Sequence, residues 1–392
     1  MDLAFTSREK PSVNLIESLL YRPGLDEATQ HWRWVYALCL AARAGRLDVM
    51  EALLSRNEAG AGYKDQAGNT PLHFAAMSEQ PYAVNFLLRR PGVSVNAPGV
   101  GGETAMHWAV SSSKDVMEAL IHAGADIDKQ SRLGSPLRHA VMGGFNQTLK
   151  VLLDHGADPS IPKTAAGDGL TLLHHFFHPD WHLEQENLDP GLLVRLIRGG
   201  AELDTMSSMS TSPTPPDPVK WRCEGTALFF AAVHVKEIVF MQMLLEAGAR
   251  VDSVVIDRLA IGGRPQSFLA GLFRHEFNIY PYHALTDDEI DNELVYFVRD
   301  RMVVLLNHGA RLDAVGGEQS ALEYACEVAC RYPMRHEVLW LLLWNSTSRN
   351  VSREHIEVVK PRYGLMVDMD EEQGASCRRI VSRLTRFIER VF

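Results

Sequence analysis

Between Lys64 and Asp158 the apolar positions fall into pairs of short stretches, each with hydrophobic residues at spacings of three and four and a polar break between them. That periodicity predicts paired amphipathic helices. The first stretch of each pair opens in the same way. Gly68-Asn69-Thr70-Pro71-Leu72-His73-Phe74-Ala75-Ala76 returns as Gly102-Glu103-Thr104-Ala105-Met106-His107-Trp108-Ala109 and as Gly134-Ser135-Pro136-Leu137-Arg138-His139-Ala140. Looser copies are Gly169-Leu170-Thr171-Leu172-Leu173-His174 and Gly225-Thr226-Ala227-Leu228-Phe229-Phe230-Ala231-Ala232. The second stretch closes on a glycine and an alanine, at Gly124-Ala125, Gly156-Ala157, Gly200-Ala201, Gly248-Ala249 and Gly309-Ala310. A hydroxyl residue caps a helix start, proline supplies a helical φ in the first turn, and glycine takes the left-handed backbone that stops a helix.

The starts at Thr70, Thr104, Ser135 and Thr171 lie 34, 31 and 36 residues apart. This period, with the Thr-Pro-Leu-His opening, resembles the ankyrin-repeat family. The resemblance runs from about Trp34 to Trp344 and is strongest from Lys64 to Asp158. It implies an all-α ankyrin-repeat solenoid of about seven to eight helix-turn-helix units, the later ones divergent, with helical end caps. Three segments are expected: an N-terminal extension over 1–33, the array over 34–345 and a C-terminal helical extension over 346–392.

Three interruptions break the period. His178 to Asp189 lengthens the gap between the two helices of one unit. Met206 to Pro218, rich in serine and proline and leading to Trp221, reads as irregular and extended. Val254 to Leu285 is irregular too, after which Thr286-Asp287-Asp288-Glu289 forms a capping box for a helix through Leu306. At the C-terminus Ile380, Leu384, Phe387, Ile388 and Val391 share one helical face, with arginines on the other. That helix reads first as a cap for the last unit, and second as a face for an anionic membrane or a partner groove.

Charge and composition narrow the function classes. The formal charge is −10 over 392 residues, which argues against binding to a phosphate backbone, so nucleic acid is not an expected partner. No apolar run approaches the roughly 20 residues that span a bilayer, and the first residues lack a secretory pattern, so no transmembrane segment and an intracellular location are expected. Cys39, Cys223, Cys326, Cys330 and Cys377 are scattered and read as reduced thiols.

The histidines of LLHHFFHPDWHLEQEN suggest a metal at first sight. His174 is the last residue of the repeat motif, where the resemblance implies a hydrogen bond between neighbouring loops, and His175 takes the place of Phe74 and Trp108, packed within the unit. His178 and His182 remain, separated by Pro179, without the further converging ligands that a tetrahedral site needs. No metal site and no cofactor are expected.

The resemblance implies a concave groove lined by residues after the first helices and at the loop tips: Asn69, Met77, Ser78, Glu103, Ser111, Ser112, Arg132, Met142, His178, Asp180, His182 and His234. This mixed polar set suits a protein or peptide partner, and the first reading is a non-catalytic binding or scaffold protein. The alternative is a small-molecule enzyme without redox chemistry, a cyclase, isomerase or hydrolase. His178 and His234, read as equivalent groove positions, would be its acid and base, with Glu103 assisting and the 205–222 loop closing over them. Against it, the chain has no Gly-x-Ser-x-Gly elbow, phosphate loop or dinucleotide fingerprint.

Overall fold

The computed structural model describes residues 27–55, 58–160, 170–178, 188–210, 222–235, 237–257, 265–272, 292–314, 319–331, 339, 343–347, 349–364 and 371–392. Contacts divide the chain into two compact units, one of 1–175 with 198–201 and the other of 176–197 with 202–392.

In the first unit the paired stretches are paired helices: α1 (Glu27–Arg43) with α2 (Leu47–Leu54), α3 (Pro71–Met77) with α4 (Pro81–Leu88), α5 (Ala105–Ala109) with α6 (Lys114–His122), and α7 (Pro136–Met142) with α8 (Asn146–Asp154). The first helices α1, α3, α5 and α7 pack in succession, and so do the second helices α2, α4, α6 and α8. Leu38, Val49, Leu53, Leu72, Leu87, Met106, Leu120, Leu137 and Leu152 are buried by that stacking. None of these short helices persists alone, so their stability comes from the shared apolar face. Trp34, within α1, is buried core.

The stops behave as the sequence predicts. Gly124 and Gly156 have φ of 82° and 83° just after α6 and α8, and Ala125 N–H bonds the Leu120 carbonyl while Ala157 N–H bonds that of Leu152. A short helix α9 (Leu172–Phe176) follows.

The second unit contains α10 (Pro190–Arg198), α11 (Ala227–His234), α12 (Ile238–Glu246), α13 (Asn292–Asn307), α14 (Ala321–Arg331), α15 (Arg353–Gly364) and α16 (Glu371–Val391). Its core is more aromatic. Phe177 lies 6.3 Å from Phe240 and Phe229 lies 5.5 Å from Phe268, both edge to face. The divergent copy at Ser320 has a complete capping box, with Ser320 N–H bonding Glu323 Oε2 at 2.8 Å and Glu323 N–H bonding Ser320 Oγ at 3.2 Å.

To this helical architecture the second unit adds a small antiparallel sheet in the order β1 (Ser207–Ser210), β2 (Arg222–Gly225), β3 (Val254–Asp257), β4 (Pro265–Ser267). Ser207 pairs with Gly225, Cys223 with Asp257 and Val254 with Ser267. Ser207–Ser210 opens the stretch read as irregular, and Val254–Asp257 opens another. Serine has little strand preference of its own, so its ladder partner, distant in sequence, decides the matter. The Thr286 capping box and Trp221 lie outside the described residues.

Candidate functional site

The first helices α3, α5 and α7 are each tied to the next unit by a histidine or by a substitute. His73 Nδ1 accepts from the backbone N–H of Thr70 at 3.1 Å and stands 2.9 Å from the Thr70 hydroxyl. His107 repeats this with Thr104, at 3.0 Å in both cases. A ring nitrogen that accepts from a backbone N–H is unprotonated, so both rings are neutral with the proton on Nε2. That nitrogen donates to the next unit: His73 to the Glu103 carbonyl at 3.1 Å, His107 to the Gly134 carbonyl at 3.0 Å. Burial is the main force holding both imidazoles below their ordinary pKa, and His107 is pushed down to about 4, with electrostatic coupling to the neighbouring His139 ring adding to burial.

Arg138 stands where the third copy lacks the histidine, and its guanidinium donates to the Leu170 carbonyl at 3.1 Å. The longer side chain makes the same kind of link. In the fourth copy the Thr171 hydroxyl lies 2.6 Å from His174 Nδ1. A second row of ties joins the loop tips. Asn96 Oδ1 accepts from Asp126 N–H at 2.7 Å and Asp128 Oδ1 accepts from Asp158 N–H at 3.0 Å.

These ties redistribute the expected groove set. Asn69 is buried, and its Oδ1 accepts the Val100 N–H at 3.0 Å, so it works inside the array. Met77 is 39% exposed; Ser111 and Arg132 are exposed, while Ser78, Ser112 and Met142 are half-buried. Glu103 is half-buried and accepts the Trp108 indole N–H at 2.8 Å. The Ser112 hydroxyl is buried without a hydrogen-bond partner among the described residues.

Phe74, Trp108 and His139, one residue after each anchoring position, are half-buried in three consecutive copies. Phe74 and Trp108 meet edge to face at 5.7 Å, and His139 meets the His107 ring at 5.2 Å. His175, expected at this register position to be packed within its unit, is fully buried, whereas Phe74 and Trp108 are left partly open. The row's signal in the sequence is the repetition of a large ring at one register position, which periodicity alone reads as core. His139 Nε2 has no hydrogen-bond partner among the described residues, and burial holds its pKa below the ordinary value, offset only in part by the charge of Glu103.

The histidines proposed as acid and base belong to the second unit. His178 is only 5% exposed, in place of the exposed groove residue expected. It follows Phe176 and Phe177, both buried. His234 is half-buried, its ring parallel to Phe230 at 6.0 Å. Counted from the cap, His178 aligns with Met77 and Met142, whereas His234 aligns with Ser78 and Ser112, one position on. Asp180 and His182 lie outside the described residues. Among the described residues no three His, Cys, Asp or Glu side chains gather as metal ligands, and no helix is long and apolar enough to cross a membrane.

Comparison with known proteins agrees with the geometry. The model of ankyrin repeats matches residues 5–98 and 38–131. A putative ankyrin repeat protein of Rickettsia bellii is 31% identical over 123 residues, covering 31% of this chain and 67% of that protein. The chain belongs to the ankyrin-repeat family.

Other relatives share the repeats within longer proteins. The E3 ubiquitin-protein ligase KEG of Arabidopsis thaliana is 31% identical over 222 residues, 54% of this chain and 12% of the ligase. Neurogenic locus notch homolog protein 1 of Xenopus laevis is 30% identical over 138 residues, 35% of this chain and 5% of that protein. The ankyrin chain thus spans a small part of these longer relatives. Ankyrin repeats are generally protein–protein interaction modules, and no catalytic function is shown by these likenesses.

Proposed function

We propose that the first-helix face of the first unit binds a protein or peptide partner without catalysis. The half-buried row Phe74, Trp108 and His139, flanked by Met77, Met142 and Ser111, is the observation that carries this reading. Rings left partly open at one register position contribute apolar area to a partner, and the adjacent polar groups Glu103 and Arg132 set its orientation. The ladder beneath holds these side chains still, so little entropy is lost on binding.

The test is site-specific photo-crosslinking. A crosslinking residue at Met77 or Met142 should give one discrete adduct that the same residue at Lys150, exposed on α8, does not. Equal yields from all three positions, or adducts from Lys150 alone, reject this surface.

A further inference from the structure

The apolar face of α16 is already used. Cys377, Ile380, Leu384, Phe387 and Ile388 are buried, and the helix packs on α14 and α15. That leaves its basic side to explain. From Cys377 to Phe392 the chain has five arginines and one glutamate, within a protein of net charge −10.

Beside α16 lies an open pocket of about 120 Å³, lined by Leu343, Trp344, Arg383, Arg386, Phe387 and Arg390. Trp344 is 59% exposed, unusual for the largest apolar side chain. Arg390 is held in place. It donates to the carbonyls of Leu343 and Ser346, and its guanidinium lies 5.1 Å over the Trp344 ring and 5.3 Å over that of Phe387. Arg386 bonds the Ser382 hydroxyl at 3.1 Å through one amine. Among the described residues neither Arg386 nor Arg390 has a carboxylate within ion-pair distance, although Glu389 separates them in sequence.

We infer that this pocket binds a phosphotyrosine side chain of a protein partner. The lining offers guanidinium groups and an aromatic–aliphatic wall together, and a phosphorylated aromatic side chain presents both matching halves. A carboxylate is satisfied by one guanidinium fork, whereas the three oxygens of a phosphate use several. The pocket has room for one side chain. Among the described residues its lining has no amide, hydroxyl or carboxylate side chain, so adenine and cytosine edges find no matching partner there. A membrane surface would call on the apolar face of α16, which is buried. The pocket stands in the second unit, independent of the first-helix face proposed above.

The experiment is fluorescence anisotropy on the full chain with a labelled phosphotyrosine peptide and its unphosphorylated twin. The phosphopeptide is expected to bind at least tenfold more tightly and to be displaced by phenyl phosphate. Arg386→Glu and Trp344→Ala, both at exposed positions, should each weaken it tenfold or more with unchanged circular dichroism melting. Arg386→Lys, which keeps the charge and loses the fork, should fall between. Equal binding of the two peptides, or full binding by Arg386→Glu, overturns the proposal. So does displacement by inorganic phosphate, adenosine monophosphate or phosphatidylserine vesicles as effective as that by phenyl phosphate.

Discussion

His107 Nε2 donates to the carbonyl oxygen of Gly134 at 3.0 Å, joining residues 27 positions apart. The same ring accepts from Thr104 at its other nitrogen. One imidazole therefore closes the start of its own helix and fastens the loop of the next unit, and both bonds require the neutral ring. Between stacked units that touch only their neighbours, such a link adds to cohesion directly.

Removing that ring strands the Thr104 N–H and the Gly134 carbonyl. His107→Ala should destabilise by about 1–3 kcal/mol, while Met77→Ala, at an exposed helix end, should stay within about 0.5 kcal/mol. Urea denaturation of both variants decides this, and matching midpoints would contradict it.

Acid should weaken the array through the same residue. The His107 pKa falls from 6.5 to about 4 on folding, so between those values the unfolded chain takes up a proton that the native state refuses. The contribution is complete above pH 6.5 and is lost as pH falls toward 4. His73 shifts in the same direction. Melting temperature followed from pH 7 to pH 4 should drop, and His107→Gln should drop less. A flat wild-type profile across that window would reject the linkage.

Gly99 sits where two ties meet. A Cβ there would lie 2.5 Å from Asn69 Oδ1 and 3.0 Å from His73 Nε2. Gly99→Ala should therefore cost about 1–3 kcal/mol by displacing both side chains. Gly124→Ala meets open space at φ +82° and carries only the left-handed backbone cost of about 1–2 kcal/mol. Thermal melts that place Gly124→Ala clearly below Gly99→Ala would show that close approach is not the constraint.

In the second unit Asn350 takes over the work of a helix end. Its buried amide donates to the carbonyls of Leu306 and Ala310, both at 2.9 Å, and its Oδ1 accepts the Thr347 N–H at 2.8 Å. Asn350→Ala should cost about 2 kcal/mol or more by leaving those groups unpaired. Hydrogen exchange should accelerate at the last turn of α13, and unchanged protection there would count against the role.

The repeat, its capping residues and its glycine stops were legible because each depends on local chemistry. Thr70, Pro71, Gly124 and the Nδ1 side of His73 act within a few residues of their own position. Arg138 was less legible, since nothing local says that a guanidinium will reach the Leu170 carbonyl. Asn69 was placed in the groove from its register, yet the Val100 amide claims its side chain. Ser207–Ser210 illustrates the same limit for strands, because its pairing partner lies beyond the serine-proline stretch.

The order of residues alone settles that this chain forms paired short helices stacked by period, because helix starts, stops and apolar faces are local properties. Which rings remain open, that His178 is buried, and that Trp344 lies under Arg390 were decided only in three dimensions. Burial and hydrogen-bond competition depend on neighbours that sequence distance does not reveal.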